Sequence, residues 1–179
     1  DLLQAWLARA RRLAGTIDLP DLPHIPQETL GTLAALEIRR GDPGRGEWLF
    51  RGLERQARPP TNHVLAARRI RALASIGRTD VVAEGLQLPD HVRALLAEDL
   101  VADDLPGPAA TVLQGLRSHW IDRVFHAAEA RCSHGRIEGE GWHDLVLALR
   151  PALPAVHDHA RFRCHVTLAR LQLHTTEAA

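Results

Sequence analysis

The sequence predicts an all-α fold: antiparallel helix hairpins stacked as a short right-handed α-solenoid. Three observations predict it. Leu and Ala dominate the composition and β-branched residues are sparse, which favours helix because Ala and Leu lose little conformational freedom there. No stretch alternates apolar and polar residues for long enough to make a strand. Pro and Gly punctuate the chain at short intervals, leaving the brief connections that join antiparallel neighbours. At 179 residues the chain is one domain spanning 1–179. It divides into a leading helix at 1–16, a Pro-rich connector at 17–26 and helical hairpins over 27–179.

The leading helix places Leu2, Leu3, Trp6, Leu7, Ala10, Leu13 and Ala14 on one face. Pro20, Pro23 and Pro26 then forbid a helix and favour an extended segment. Residues 27–40 and 44–57 form two short amphipathic helices around Gly41-Asp42-Pro43. In that turn a left-handed Gly41 would end one helix, Asp42 would cap the next, and Pro43 suits a first helical turn. Pro59 and Pro60 close the pair. Thr61 or Asn62 is expected to cap a helix to about residue 76. Gly77 ends it, Thr79 or Asp80 starts a short helix to about 86, and Pro89 breaks the chain again. Val92, Leu95, Leu96 and Leu100 mark the next apolar stripe.

The longest helix is expected at 108–132, with Ala109, Val112, Leu113, Leu116, Trp120, Val124, Ala127 and Ala128 on one face and Trp120 in the core. A glycine-rich turn follows, with Gly135-Arg136-Ile137-Glu138 inside it. Trp142, Leu145, Val146 and Leu149 define a short helix stopped by Pro151 and Pro154. The last helix is expected over about 159–173, packing through Phe162, Val166, Ala169 and Leu173.

The turns at Gly41-Asp42 and at Gly77-Arg78-Thr79-Asp80 carry a repeat signal, since the two glycines lie 36 residues apart. The first hairpin resembles the tetratricopeptide repeat, a helix pair of about 34 residues. Leu30, Leu33 and Ala34 sit where that family has its first-helix apolar and small residues. Gly46, Phe50 and Pro59 sit near its second-helix small, aromatic and closing proline positions. Glu37 stands where the family usually has tyrosine, and Arg69 and Ile70 depart from the pattern in the second unit. Residues 149–171, LRPALPAVHDHARFRCHVTLARL, resemble a HEAT hairpin, with an early proline, an aspartate at the turn and arginines opening the next helix. Either resemblance implies stacked helix pairs with a concave surface that holds a peptide, a partner protein or another domain.

Composition removes several chemistries. Lys, Met and Tyr are absent and all 22 basic residues are Arg, as a GC-rich bacterial genome would give. There is therefore no P-loop lysine, no Schiff-base lysine and no tyrosine acid or nucleophile. The absence of Met also suggests a domain or processed portion of a longer product. A formal net charge of zero argues against strong non-specific attraction to nucleic acid or acidic lipid. Cys132 and Cys164 belong to no metal or redox motif and read as free thiols, so a cytoplasmic setting is expected. No apolar run is long enough for a membrane span. Neither GxSxG nor HExxH occurs.

Eight of the eleven histidines lie after residue 118, the strongest chemical bias in the chain. On a continuous helix His119, Asp122, His126 and Glu129 would share a strip about 80° wide, a set of donors able to hold a divalent metal. His157-Asp158-His159 resembles part of the ligand set of the HD superfamily of helical phosphohydrolases, but no Asp follows Asp158 to close it. Residues 64–86 could form a helix-turn-helix with Arg68, Arg69, Arg71 and Arg78, although Asp80 and Glu84 would face phosphate.

The reading that follows is a protein- or peptide-binding scaffold module needing no cofactor. A metal-dependent helical enzyme or sensor is the alternative, and a DNA-binding regulator is the second alternative. The expected binding face is built from the first helix of each hairpin and carries Arg39, Arg40, Arg68, Arg69, Arg71, Arg117 and Arg123. Guanidinium forks bind carboxylates in bidentate fashion, so an acidic peptide or protein face is the expected partner.

Overall fold

The computed structural model describes residues 27–134, 137 and 141–177, with side chains to 173. The leading helix, the Pro-rich connector and most of the glycine-rich turn, including Gly135-Arg136, lie outside the described residues. Those described are helical, with no strand among them. No helix among them is long and apolar enough to cross a membrane.

Eight α-helices follow in order: α1 Gln27–Arg40, α2 Pro43–Gln56, α3 Thr61–Ala74, α4 Asp90–Ala102, α5 Pro106–Leu113, α6 Asp122–Ser133, α7 Gly141–Leu149 and α8 Asp158–Glu177. Three 3-10 segments intervene at Thr79–Gln87, His119–Ile121 and Arg150–Ala155.

Local chemistry accounts for the first boundaries. The Asp42 carboxylate accepts a hydrogen bond from the Arg45 amide at 3.1 Å, and Pro43 occupies the first turn of α2. Gly41 does not adopt the expected left-handed conformation, which belongs to Gly77 (φ 85°) and Gly115 (φ 71°). Instead its amide donates to the Glu37 carbonyl and prolongs α1 by one bond. Neither Thr61 nor Asn62 caps α3, whose N-cap is Pro60 without a side-chain bond. Helices α1 and α2 cross most closely at Gly46, where an added Cβ would lie 2.7 Å from the Ala34 carbonyl oxygen and 2.8 Å from the Ile38 nitrogen.

The expected helix over 108–132 is broken between α5 and the 119–121 turn, and a buried cation takes up the carbonyls freed at the break. Arg93 of α4 donates from Nε and Nη2 to the Val112 carbonyl, at 3.1 and 2.8 Å, and from Nη2 to the Gln114 carbonyl at 2.7 Å. Those carbonyls sit at the end of α5 and need partners once the helix stops. Left-handed Gly115 redirects the chain, and Ser118 caps the 3-10 turn by accepting from the Trp120 amide. Trp120 lands on that turn half-exposed, so it is not core. Leu116, Val124 and Ala128 stay buried, because the chain re-enters the core after the break.

Most contacts between elements fall along two successions. Helices α1, α3, α4, α6 and α8 each pack on the next in that succession, while Thr79–Gln87, α5 and α7 form a second one. Cross-contacts join α1 to α2, α2 to α3, α4 to α5 and α7 to α8. The apolar interior has two parts. One lies among α1, α2 and α3 around Phe50, Leu65 and Leu73. The other runs from Ile70 through α4, α5, α6 and α7 to Leu171 of α8.

The last helix turns a different face inward from the one expected. Cys164, Thr167, Leu168 and Leu171 are buried, whereas Phe162 is 80% and Leu173 62% exposed. Ala169 is exposed as well. Likewise Leu95 of α4 is partly exposed while Val92, Leu96 and Leu100 are buried.

Candidate functional site

The arginines expected to bind an acidic partner are mostly engaged within the chain. Arg71 of α3 donates to Asp103 at the end of α4 through Nε and Nη2, at 2.7 and 2.8 Å, and its Nη1 lies 3.0 Å from Asp99. Arg39 of α1 reaches the same Asp103 at 3.4 Å and donates to Ser75 Oγ at 3.2 Å. Arg123 of α6 donates to Glu98 of α4 at 2.6 Å. Arg163 of α8 donates to Glu129 of α6 at 2.8 Å, and Arg131 of α6 pairs with Asp104 at 2.7 Å. An arginine–carboxylate ladder thus runs along α1, α3, α4, α6 and α8, joining each helix of that succession to another.

Electrostatics follow the pairing. The Arg71 fork holds the Asp103 carboxyl below its ordinary range against the opposing effect of burial, with Arg39 adding to the depression. Asp99 moves the other way. Burial raises it, and the neighbouring Asp103 and Glu98 charges add to the rise against the pull of Arg71.

Arg69 is not on a surface at all. It is 2% exposed and bridges α2 to the 79–87 segment, donating to Glu54 and Glu84 at 2.7 Å each. Arg51 holds the second oxygen of Glu84 at 3.0 Å. Burial pushes the Glu84 carboxyl up, but Arg69 and Arg51 together leave it below the usual range. Of the expected set, Arg40, Arg68 and Arg117 are exposed and have no carboxylate partner among the described residues.

The expected metal strip is not assembled. His119 lies in the 3-10 turn rather than on α6, which shifts it out of register with Asp122, His126 and Glu129. Glu129 is already engaged by Arg163. Among the described residues no three His, Cys, Asp or Glu side chains converge in a metal-binding group. The segment after Gly77, where a recognition helix would start, is a 3-10 helix with Val81 and Val82 buried and Asp80 paired to Arg78 at 2.8 Å. Both thiols are free. Burial pushes Cys164 up to about 11, with Asp122 and Glu129 adding to it, and burial also raises Cys132.

A groove of about 470 Å³ lies between α5 and α7, lined by Gly107, Ala110, Thr111, Gln114, Asp144, Leu147 and Ala148. Two glycines position it: an added Cβ on Gly141 would lie 2.7 Å from the Gly107 nitrogen, so the two helices start almost in backbone contact. Leu147 is 53% exposed at its edge. Asp144, one turn earlier on α7, is exposed and has no ion-pair partner among the described residues. Sequence reasoning missed this groove because its signal is an absence, small residues at 107, 110 and 148 on helices distant in the chain.

Comparison with protein-family models, with curated proteins and with solved structures finds no match to this chain. The functional reading therefore rests on the chain's own geometry.

Proposed function

We propose that this chain is a protein- or peptide-binding helical scaffold, built as a short right-handed stack of helix hairpins. The observation that carries the reading is the pattern of contacts, in which helices follow one another along two successions and the pairs α1–α2, α2–α3, α4–α5 and α7–α8 meet across them. Hairpin repeats stacked into two layers produce that pattern, and their role is to present an extended surface. The close crossing at Gly46 supports it too, since it falls where the tetratricopeptide resemblance asks for a small residue.

The ligand site we assign is the α5–α7 groove. Its floor of Gly107, Ala110 and Ala148 leaves room for an inserted apolar side chain. Leu147 offers apolar area at the rim, and Asp144 one turn away offers an unpaired charge. An amphipathic segment with an Arg or Lys beside a Leu or Phe matches both. An acidic ligand on the arginine ladder would instead have to displace carboxylates already bound there, leaving Arg40, Arg68 and Arg117 of the expected set to receive it.

Selection from a random peptide library tests the assignment. The wild type should enrich basic amphipathic peptides, and Asp144→Arg or Leu147→Asp should abolish that enrichment. Enrichment of acidic peptides that survives Asp144→Arg and disappears in Arg68→Glu would move the site to the basic face. No enrichment by any form would overturn the scaffold reading.

A further inference from the structure

We propose that the outer face of α8 docks a partner protein's helix, one with an apolar seam flanked by Glu or Asp. Helix α8 carries two apolar stripes. Cys164, Leu168 and Leu171 are buried where α6, α7 and the 150–155 segment pack on it. Phe162, Val166, Ala169 and Leu173 form the other stripe. At 3.6 residues per turn these four point within about 60° of one another, and about 180° away from the buried stripe. Phe162 and Leu173 are the two most exposed large apolar side chains among the described residues, and Ala169 is exposed between them. A helix with one apolar face is covered by a single layer, whereas opposite apolar faces call for a layer on each side.

Spacing and charge together say what covers the outer stripe. Steps of four, three and four residues are the rhythm of one helix laid along another, with Phe162 and Ala169 at d and Val166 and Leu173 at a. The small Ala169 leaves a hole for a knob from the facing helix. At the flanks, Arg163 and Arg170 fall at e and His165 and Gln172 at g. No Asp or Glu occurs from His159 to Leu173. Arg163 is shared with Glu129, while Arg170 is exposed and has no carboxylate partner among the described residues. Carboxylates beside the incoming seam would receive that guanidinium fork. A second copy of α8 does not fit. Antiparallel pairing sets arginine against arginine, and parallel pairing sets arginine against His165 or Gln172, which offer no anion. Residues 1–16 have an apolar stripe but carry Arg9, Arg11 and Arg12 against Asp1, the wrong sign for this face. The seam shares no residue with the α5–α7 groove and selects the opposite charge.

Two synthetic helical peptides test the seam, both with Leu at a and d, one with Glu and the other with Lys at the flanking e and g positions. Fluorescence anisotropy measures their binding to the full chain. The Glu peptide should bind the wild type, and Phe162→Ser should weaken it roughly tenfold or more. Arg170→Glu should weaken it as well, while Asp144→Arg in the groove should leave it unchanged. The Lys peptide is tested on Asp144→Arg, where the groove no longer attracts it, and should bind there roughly tenfold or more weaker than the Glu peptide. Far-UV spectra establish that each variant is folded, as expected for exposed positions. Glu-peptide binding that is absent, unaffected by Phe162→Ser, or matched by the Lys peptide on Asp144→Arg overturns the proposal. So does a dimer in sedimentation that Phe162→Ser dissociates, which puts a second copy on the seam. Binding that appears only in Leu3→Asp/Leu7→Asp puts residues 1–16 there and overturns it equally.

Discussion

Arg71 grips Asp103 with two parallel hydrogen bonds, of 2.7 and 2.8 Å, and so ties α3 to the end of α4. The geometry is the bidentate fork that makes an arginine–carboxylate pair strong. Because the pair is only partly shielded, at 30% and 25% side-chain exposure, its contribution stays modest.

The pH dependence of stability should separate Asp103 from its neighbour Asp99. Asp103 is depressed in the folded chain by the Arg71 fork. Its stabilisation is therefore present above the unfolded carboxyl value, near ~3.9, and is lost as pH falls through the lower folded value. Asp103→Asn should cost roughly 1–2 kcal/mol at neutral pH, and the gap from wild type should close at acid pH. Asp99 is raised by burial, so its charge disfavours the folded state once pH exceeds the unfolded value. Asp99→Asn should be neutral or stabilising at pH 7. Urea titrations at several pH values measure both, and an Asp103→Asn deficit that grows in acid contradicts the assignment.

Arg69 should matter for folding and not for ligand binding. Removing it leaves Glu54 and Glu84 near a buried site without their shared cation. Arg69→Ala should cost about 3 kcal/mol, toward the low end for a broken buried pair because Glu84 is partly solvated. Neutralising the carboxylates as well, in Arg69→Met/Glu54→Gln/Glu84→Gln, should recover much of that loss. A denaturation midpoint for Arg69→Ala equal to that of wild type would contradict the bridge.

The two glycines of the α1–α2 pair should respond differently to alanine. Gly46→Ala drives a methyl into the backbone of α1 and should cost roughly 1–3 kcal/mol by forcing the helices apart. Gly41 lacks a positive φ, so Gly41→Ala should change stability by less than about 0.5 kcal/mol. Thermal unfolding of both variants checks the pair. Equal losses would place the close approach in the turn instead.

Two tryptophans make the fourth comparison. Trp142 is fully buried in α7, and its truncation to Ala should cost about 3–5 kcal/mol. Its indole nitrogen has no partner among the described residues, so Trp142→Phe removes a buried unsatisfied donor and should be much milder. Trp120 is 40% exposed on the 119–121 turn, and Trp120→Ala should cost less than about 1 kcal/mol. A Trp120→Ala loss as large as that of Trp142→Ala would restore the continuous helix.

The sequence by itself determined the helical class and most of the punctuation. Pro43, Pro89 and Pro151 start or stop elements for reasons confined to their own backbone, and Asp42 caps α2 through the amide three residues on. Such rules act over one turn of chain, so they are legible without a fold. Only the tertiary structure decided the rest. The long helix ends at Leu113, and Arg93, nineteen residues before Val112 in the chain, brings its guanidinium to the carbonyls that a continuous helix would have used. Helix α8 has two apolar stripes, and periodicity could not choose between Phe162–Leu173 and Cys164–Leu171; packing against α6 and α7 chose the second. The arginines looked free because their carboxylates, 15 to 64 residues away, meet them only after the helices pack. His119 and His157 stood apart in the sequence for the same reason: periodicity describes one helix, whereas their rings come within 4.9 Å between centroids only once the 119–121 turn packs on the 150–155 segment.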